Sequence, residues 1–201
     1  WKPFLGFTAW LLRRGRGAVV TNEANAAVLR DLDVHTLVLD DTPVLTPGRE
    51  ADPDADRQMV LVPASFDPDE PIEAIIEAAG SSPDIEVVLT GGDATGRLDG
   101  LDVPGNVRVA GFVSREEYES LLSEATVVCS LTTLDHCMQQ AGYEAMAWGR
   151  PLVTSNTYDL QHYFGDAAVF TAPAAPDIAA AWRTALDGRQ VLHEKLSLIH
   201  I

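Results

Sequence analysis

Hydrophobic and polar residues along the chain fall into two alternating patterns. Short runs rich in Val, Ile and Leu are typical of buried parallel strands, and MVLVPA at 59–64 is apolar throughout, as expected of a central strand. Between these runs lie longer stretches with apolar residues at helical spacing. The predicted strands are 18–21, 35–39, 59–64, 85–90, 107–110, 126–130, 151–155 and 168–171. The alternation predicts an α/β fold, a parallel sheet with helices on both faces.

Capping and breaking residues mark the boundaries of the predicted helices. Asn22 is a suitable N-cap, and Ser114 with Glu117 forms a capping box. Gly149 is suited to follow the end of the helix predicted over 136–148. The predicted helices are 3–14, 23–31, 71–79, 115–123, 136–148 and 176–186.

The pattern divides the chain into four parts. Residues 1–44 hold one and a half strand–helix units, so we interpret them as the end of a larger domain. Residues 45–57 are rich in Pro and acidic residues and predict a linker. A second α/β series fills 58–190. Residues 191–201 are a tail whose end, LSLIHI at 196–201, fits no predicted element, which leaves open whether the tail is native or foreign sequence. Because the chain begins with Trp1 rather than Met, we expect a fragment.

Charge and composition exclude several classes of protein. The 201 residues include 30 acidic and 14 basic side chains, a net charge of −16, and such a surface repels nucleic acid. The hydrophobic fraction of 46% is enough for a core, and no run of about 18 apolar residues predicts a membrane span. The two cysteines match no disulfide or zinc pattern, so we expect a cytoplasmic protein. The aromatic and basic stretch at 3–14, or the missing part of the first domain, leaves contact with a membrane surface open.

A glycine-rich loop follows one of the predicted strands. In an open parallel sheet, ligands bind where the carboxyl ends of the strands meet loops and helix N-termini. The loop GGDATG at 91–96 lacks both the Lys-Ser/Thr of a P-loop and the spacing of the dinucleotide fingerprint. Gly91 and Gly92 either form only a turn or let a ligand phosphate approach the backbone.

A later segment resembles a known enzyme family. The stretch YEAMAWGRPLVTSN, within TLDHCMQQAGYEAMAWGRPLVTSN at 133–156, resembles the signature of the GT-B glycosyltransferases that carry two Glu residues separated by seven others. Upstream, NVRVAGFVSREEYESLLSEATVVCSLT resembles the strand, helix and strand that precede this signature. The resemblance covers about residues 58–187 and implies a Rossmann-like nucleotide-sugar-binding domain. Residues before the linker would then end a second Rossmann-like domain, which binds the acceptor.

The resemblance also implies an activity. The full enzyme would transfer a sugar from a nucleoside diphosphate sugar to a glycan, lipid or small-molecule acceptor, with retained stereochemistry. In that family the helix dipole and basic residues stabilise the leaving diphosphate, so we expect neither a metal nor a cofactor. The fragment alone would be inactive, because most of the acceptor half is missing.

The roles of the family's residues carry over to matching positions. Glu144 matches the second Glu, whose carboxylate binds the ribose hydroxyls. His136 stands where the first Glu would be, with Asp135 beside it, and these two are the candidate catalytic residues. The other donor-binding candidates are Thr132 and Thr133 at the diphosphate, Gly91 and Gly92 in the glycine loop, and Phe112 and Val113 at the base.

The chain departs from the family pattern in the loop after strand 59–64. The glycine and the basic residues that hold the diphosphate are replaced by Ala64, Ser65 and Phe66 through Glu70. Arg97, Arg150 or the missing domain is left to supply the positive charge. Two alternatives stay open: a sugar-nucleotide epimerase of the same architecture, and a Rossmann-like nucleotide-binding module without catalysis.

Overall fold

The chain forms two compact units. The computed structural model describes residues 2–39, 58–93 and 96–198. The units are Trp1–Thr42 and Pro43–Ile201. The predicted linker at 45–57 lies outside the described residues, as do the last three residues of the predicted tail.

The first unit is a small two-stranded parallel arrangement. Its elements are α1 (Lys2–Arg14), β1 (Ala18–Val20), α2 (Glu23–Asp31) and β2 (Thr36–Val38). The Asn22 side chain accepts a hydrogen bond of 2.8 Å from the Asn25 amide, so the predicted N-cap of α2 is confirmed.

The second unit contains six strands and six helices among the described residues. The strands are β3 (Met59–Pro63), β4 (Glu86–Thr90), β5 (Val107–Gly111), β6 (Val127–Ser130), β7 (Leu152–Ser155) and β8 (Ala168–Thr171). The helices are α3 (Ile72–Gly80), α4 (Arg115–Glu124), α5 (Gln140–Ala147), α6 (Tyr158–Phe164), α7 (Ala175–Asp187) and α8 (Arg189–Leu198).

The six strands form one parallel sheet in the order β5-β4-β3-β6-β7-β8. Counted from the first strand of this sheet, the order is 3-2-1-4-5-6, the arrangement of doubly wound dinucleotide-binding folds. The predicted Rossmann-like parallel sheet is therefore confirmed. The chain reverses direction across the sheet between β3 and β6, so the loops that leave these two strands diverge.

Helices cover both faces of the sheet because its central strand is apolar on both sides. In β3, Val60 and Val62 pack into one core with α3 and α7, around the fully buried Trp182. Met59 and Leu61 pack into the other core with α4, α5, α6 and α8. The uninterrupted apolar run predicted as a central strand is thus buried on both faces.

The helix predicted over 136–148 is shorter than expected. It begins at Gln140, and Gln139 before it is extended, with φ −90° and ψ 135°. The Gln139 side chain is held by β6, since it accepts a bond from Ser130 Oγ at 2.8 Å and donates to the Leu131 carbonyl at 3.0 Å. His136 has φ +60°, which a continuous right-handed helix cannot contain.

Two helices of the structure, α6 and α8, were not predicted from the sequence. In α6, Leu160 and Phe164 are buried four residues apart, and in α8 the same spacing buries Leu192 and Leu196. The statement that the tail fits no element is therefore wrong as far as Leu198, because this segment is helical and packs on the domain. The pattern of two apolar residues per short helix was too weak to recognise.

Gly91 ends β4 in a conformation that a side chain would obstruct. Its φ is +105°, and a Cβ atom at this position would lie 1.7 Å from the carbonyl oxygen of Ala64 at the end of β3. The neighbouring strand ends can approach this closely only because Gly91 lacks a side chain.

Within the described part of the chain, no helix is long and apolar enough to cross a membrane.

We expect Gly91→Ala to lower the free energy of unfolding by about 2–4 kcal/mol, because it adds a backbone clash to an unfavourable φ. Equilibrium denaturation with urea measures this change. Gly100→Ala is the matched control: Gly100 also has a positive φ of +79°, but nothing lies within 4 Å of a Cβ there. The control should lose about 1 kcal/mol, and equal losses in the two variants would contradict the steric explanation.

Candidate functional site

One cleft lies where the strand order reverses, outside the carboxyl ends of β3 and β6. We call it the switch-point cleft; its volume is about 430 Å³. The loop after β3 and Thr90 at the end of β4 line it, together with residues 134, 137–141 and 144. Ligands of open α/β sheets bind at this position.

A second cleft opens at the carboxyl end of β5. This β5 cleft has a volume of about 320 Å³ and is lined by Thr90, Gly91, Phe112, Val113, Ser114, Arg115 and Tyr118. Phe112 is 93% exposed. Thr90 lines both clefts, so they adjoin. Three of the predicted donor-binding residues, Gly91, Phe112 and Val113, are brought together here. The exposed Gly92 is close to them, since a Cβ atom at its position would lie 3.5 Å from the Phe112 ring.

Glu144 joins the two clefts through a hydrogen bond. It lines the switch-point cleft from α5, and its Oε2 accepts a hydrogen bond of 2.5 Å from the Tyr118 hydroxyl of α4. Burial raises the pKa of the Glu144 carboxyl above its ordinary value, whereas Tyr118 and the charge of Arg115 act in the opposite direction. Burial and the neighbouring carboxylate raise the pKa of Tyr118, so the phenol stays a donor.

Glu70 organises the loop after β3. Its buried carboxylate accepts hydrogen bonds from the Ser65 amide at 3.0 and 3.1 Å, from the Asp67 amide at 3.2 Å and from Ser65 Oγ at 3.2 Å. Phe66 between them has φ +61° and is buried in the core. Amides that could receive a ligand anion are thus bound by a carboxylate of the protein itself.

Asp69 ties this loop to the loop after β6. The Thr132 hydroxyl donates to Asp69 Oδ2 at 2.6 Å, and the amide and hydroxyl of Thr133 both donate to the Asp69 carbonyl, at 2.8 and 3.0 Å. Thr132 is 1% exposed and its amide donates to Ser155 Oγ at 2.8 Å. The prediction that Thr132 faces a diphosphate is therefore wrong, because its polar groups hold loops together. For the exposed Thr133 that contact stays a prediction.

The structure places His136 in contact with α6. It lies in the loop before α5, and its Nδ1 is 2.6 Å from Asp159 Oδ2 of α6. Leu134 and Cys137 on either side of it line the switch-point cleft, whereas Gly91 lines the β5 cleft, and that His136 shares a cleft with Gly91 stays a prediction. Asp135 is exposed and is not the N-cap, since that position is occupied by Gln139. The catalytic roles of His136 and Asp135 stay predictions.

The basic residues considered for the phosphate are engaged elsewhere. Arg97 donates to Glu73 at 2.5 and 3.2 Å and to the Asp67 carbonyl at 2.5 Å. Arg150 is buried below α4, where its guanidinium donates to the carbonyls of Ser123 and Ala125 at 2.6 and 3.2 Å. Arg150 therefore does not supply the clamp.

The wall of the switch-point cleft is acidic, whereas that of the β5 cleft is not. Among the described residues that line them, Arg115 is the one Lys or Arg, and its Nε donates to Glu119 at 2.8 Å. Four carboxylates line the switch-point cleft: Asp67, Asp69, Glu70 and Glu144. No group of three or more His, Cys, Asp or Glu is arranged to hold a metal ion in the part of the chain that the structure describes.

Sequence reasoning missed three residues of the site. Tyr118 meets Glu144 from 26 positions away, and Asp69 meets Thr132 from 63 positions away. Such contacts have no local signal in a single sequence. Glu70 had one, since an acidic residue stood where the family carries a base, but its hydrogen bonds within the loop could not be derived.

Residues 60–187 match the profile of a protein family described as "Glycosyl transferases group 1". The match covers more than half of the chain. No curated protein matches the sequence.

Solved structures share the fold at low sequence identity. A sucrose-phosphate synthase from Thermosynechococcus elongatus superposes with a TM-score of 0.81 at 20% identity, over 98% of this chain and 57% of that one. HepE of Anabaena, in complex with UDP and glucose, gives 0.80 at 16% identity, over 98% and 61%. A glycosyltransferase from Rickettsia africae gives 0.72 at 10% identity, over 96% and 62%. The chain thus spans about three fifths of the length of these proteins.

We expect Thr132→Val to lower the free energy of unfolding by about 1–2 kcal/mol, because it removes a buried hydroxyl that bonds Asp69 across two loops. Thr133→Val removes an exposed hydroxyl that donates to the same residue, and should cost less than about 0.5 kcal/mol. Thermal and urea denaturation of both variants measure the difference. A Thr132 variant as stable as the Thr133 variant would contradict the assigned contact.

Proposed function

Because this chain belongs to the family of group 1 glycosyl transferases, we propose that it is the donor-binding part of an enzyme that transfers a sugar from a nucleoside diphosphate sugar to an acceptor. The observation that carries this proposal is the half-buried carboxylate of Glu144 at the junction of two clefts. A ribose presents two adjacent hydroxyl donors, and a carboxylate has two oxygens that can accept them. The acceptor is a glycan, a lipid or a small molecule, and transfer retains the configuration of the sugar.

The base of the nucleotide binds in the β5 cleft. Phe112 is almost fully exposed there, and Val113 supplies a second apolar contact. A planar base that covers an exposed aromatic ring buries apolar surface on both partners and stacks on the ring. This placement puts the ribose beside Tyr118 and Glu144.

The diphosphate lies at the N-terminus of α5. Gln140 and Ala141, in the first turn of this eight-residue helix, line the switch-point cleft. The first amides of a helix lack partners within the helix and favour an anion. This support matters because no Lys or Arg lines the switch-point cleft among the described residues.

We propose a UDP-sugar as the first donor to test, because HepE was solved with UDP and glucose. The acidic wall of the switch-point cleft favours a second candidate, a nucleotide-binding module without transfer. Product analysis of the full-length protein with labelled UDP-glucose separates these candidates. Transfer to an acceptor supports the enzyme, binding without turnover supports the module, and an epimerised donor would identify an epimerase.

We expect Glu144→Ala to weaken UDP binding about tenfold or more, because hydrogen bonds to a charged group contribute roughly 1.5–3 kcal/mol each. Isothermal titration calorimetry measures the affinity. Glu77→Ala, at an exposed position on α3, is the matched control and should bind UDP as the wild type does. Equal affinities of the Glu144 variant and the wild type would contradict the ribose assignment.

Binding should also depend on pH, since Glu144 accepts ribose hydroxyls most strongly when ionised. Burial raises the pKa of the Glu144 carboxyl, so as the pH is lowered the affinity for UDP-glucose should begin to fall at a higher pH than an ordinary Glu would give. Tyr118 and Arg115 face this carboxyl from α4, and Asp67, Asp69 and Glu70 line the same cleft. Titrations between pH 8 and pH 5 test this, and the part of the dependence that comes from Glu144 should be absent in Glu144→Ala.

A further inference from the structure

Tyr118 connects the two clefts. Its side chain lines the β5 cleft, while its hydroxyl bonds a carboxylate that lines the switch-point cleft. The bond at 2.5 Å is a short charge-assisted hydrogen bond. A nucleotide with its base at Phe112 and its ribose at Glu144 would therefore pass directly over this residue.

The backbone of Tyr118 is held in place from both ends of α4. At the N-terminus the Ser114 hydroxyl accepts from the Glu117 amide, and the Glu117 carboxylate accepts from the Ser114 amide at 2.8 Å. At the C-terminus the Arg150 guanidinium binds the last carbonyls. The phenol is consequently presented by a helix with little freedom to shift.

Glu144 needs such a partner more than an exposed carboxylate would. A Glu side chain has three rotatable bonds, and in a half-buried site an unpaired carboxylate loses solvation without compensation. A donated phenol hydrogen bond fixes one oxygen and favours the ionised form. Because a carboxylate offers about four acceptor positions, the remaining ones are still able to accept two ribose hydroxyls.

We propose that Tyr118 is the positioning residue for Glu144 and thereby sets the selectivity of this site for a ribose over a sugar without hydroxyl groups. The inference deepens the proposed function and rests on it. Tyr118 acts through Glu144, so its hydroxyl contributes to affinity only when both the carboxylate and the ribose hydroxyls are present.

Calorimetric titration with UDP and with 2′,3′-dideoxyuridine diphosphate tests this selectivity in the wild type, Tyr118→Phe, Glu144→Ala and the double variant. Tyr118→Phe keeps the ring and removes only the hydroxyl. It should weaken UDP binding about five- to tenfold, leave binding of the dideoxy nucleotide unchanged, and have no further effect when Glu144 is already Ala. Tyr158→Phe is the matched control, because Tyr158 is 73% exposed on α6 and lines neither cleft.

Three outcomes overturn the inference in distinguishable ways. If Tyr118→Phe loses the same affinity for both nucleotides, Tyr118 contributes only as a wall of the cleft. If the affinity of Tyr118→Phe for UDP is unchanged, Glu144 needs no positioning by the phenol. A wild type that binds UDP no better than the dideoxy nucleotide, or binds neither, would overturn the proposed function as well. Melting curves confirm that each variant is folded. Tyr118→Leu, which also lacks the hydroxyl, replaces the Phe variant if that one does not fold, and must show the same dependence on the ribose hydroxyls.

Discussion

The position of the site depends on the reversal of strand order between β3 and β6. Because the two strands are neighbours whose chains leave in opposite directions across the sheet, their loops open a space above the sheet rather than closing over it. The bond from Thr132 to Asp69 then joins the two loops to each other. Without this fixed opening, α5 would have no cleft to face, and Glu144 would be an ordinary side chain on a helix.

The switch-point cleft carries acidic side chains and no Lys or Arg among its described lining residues. Amides of the loop after β3 are bound to the internal carboxylate of Glu70, and Arg97 is paired with Glu73. Anion recognition by charge pairing is therefore weak on the described side of the cleft. Under the proposed function, most of the affinity for the donor would come from neutral groups of the nucleotide, the ribose hydroxyls and the base.

The sequence predicted the sheet better than the site. The strands were recognisable because burial on both faces requires uninterrupted apolar runs, a local property of the chain. The start of α5 was wrong because the side chain of Gln139 is captured by β6, a contact that local propensity does not record. Glu144 was found through a resemblance to a family, whereas Tyr118 was missed because its partner lies on another helix. Residues that meet only after folding leave no pattern in a single sequence.

Arg150 acts on the site from the opposite ends of the helices that form it. Its amide donates to the Ala145 carbonyl at the end of α5, while its guanidinium binds two carbonyls at the end of α4. One residue thus connects the C-terminal ends of the two helices that carry Glu144 and Tyr118. Tyr118 lies about 10 Å along α4 from the carbonyls that Arg150 binds. A small rotation of α4 about that end would therefore displace the Tyr118 hydroxyl. Lys, with a single ammonium in place of the forked guanidinium, could not hold both carbonyls in a fixed geometry. In the proposed site, the relative position of Glu144 and Tyr118 therefore depends on a buried residue that lines neither cleft.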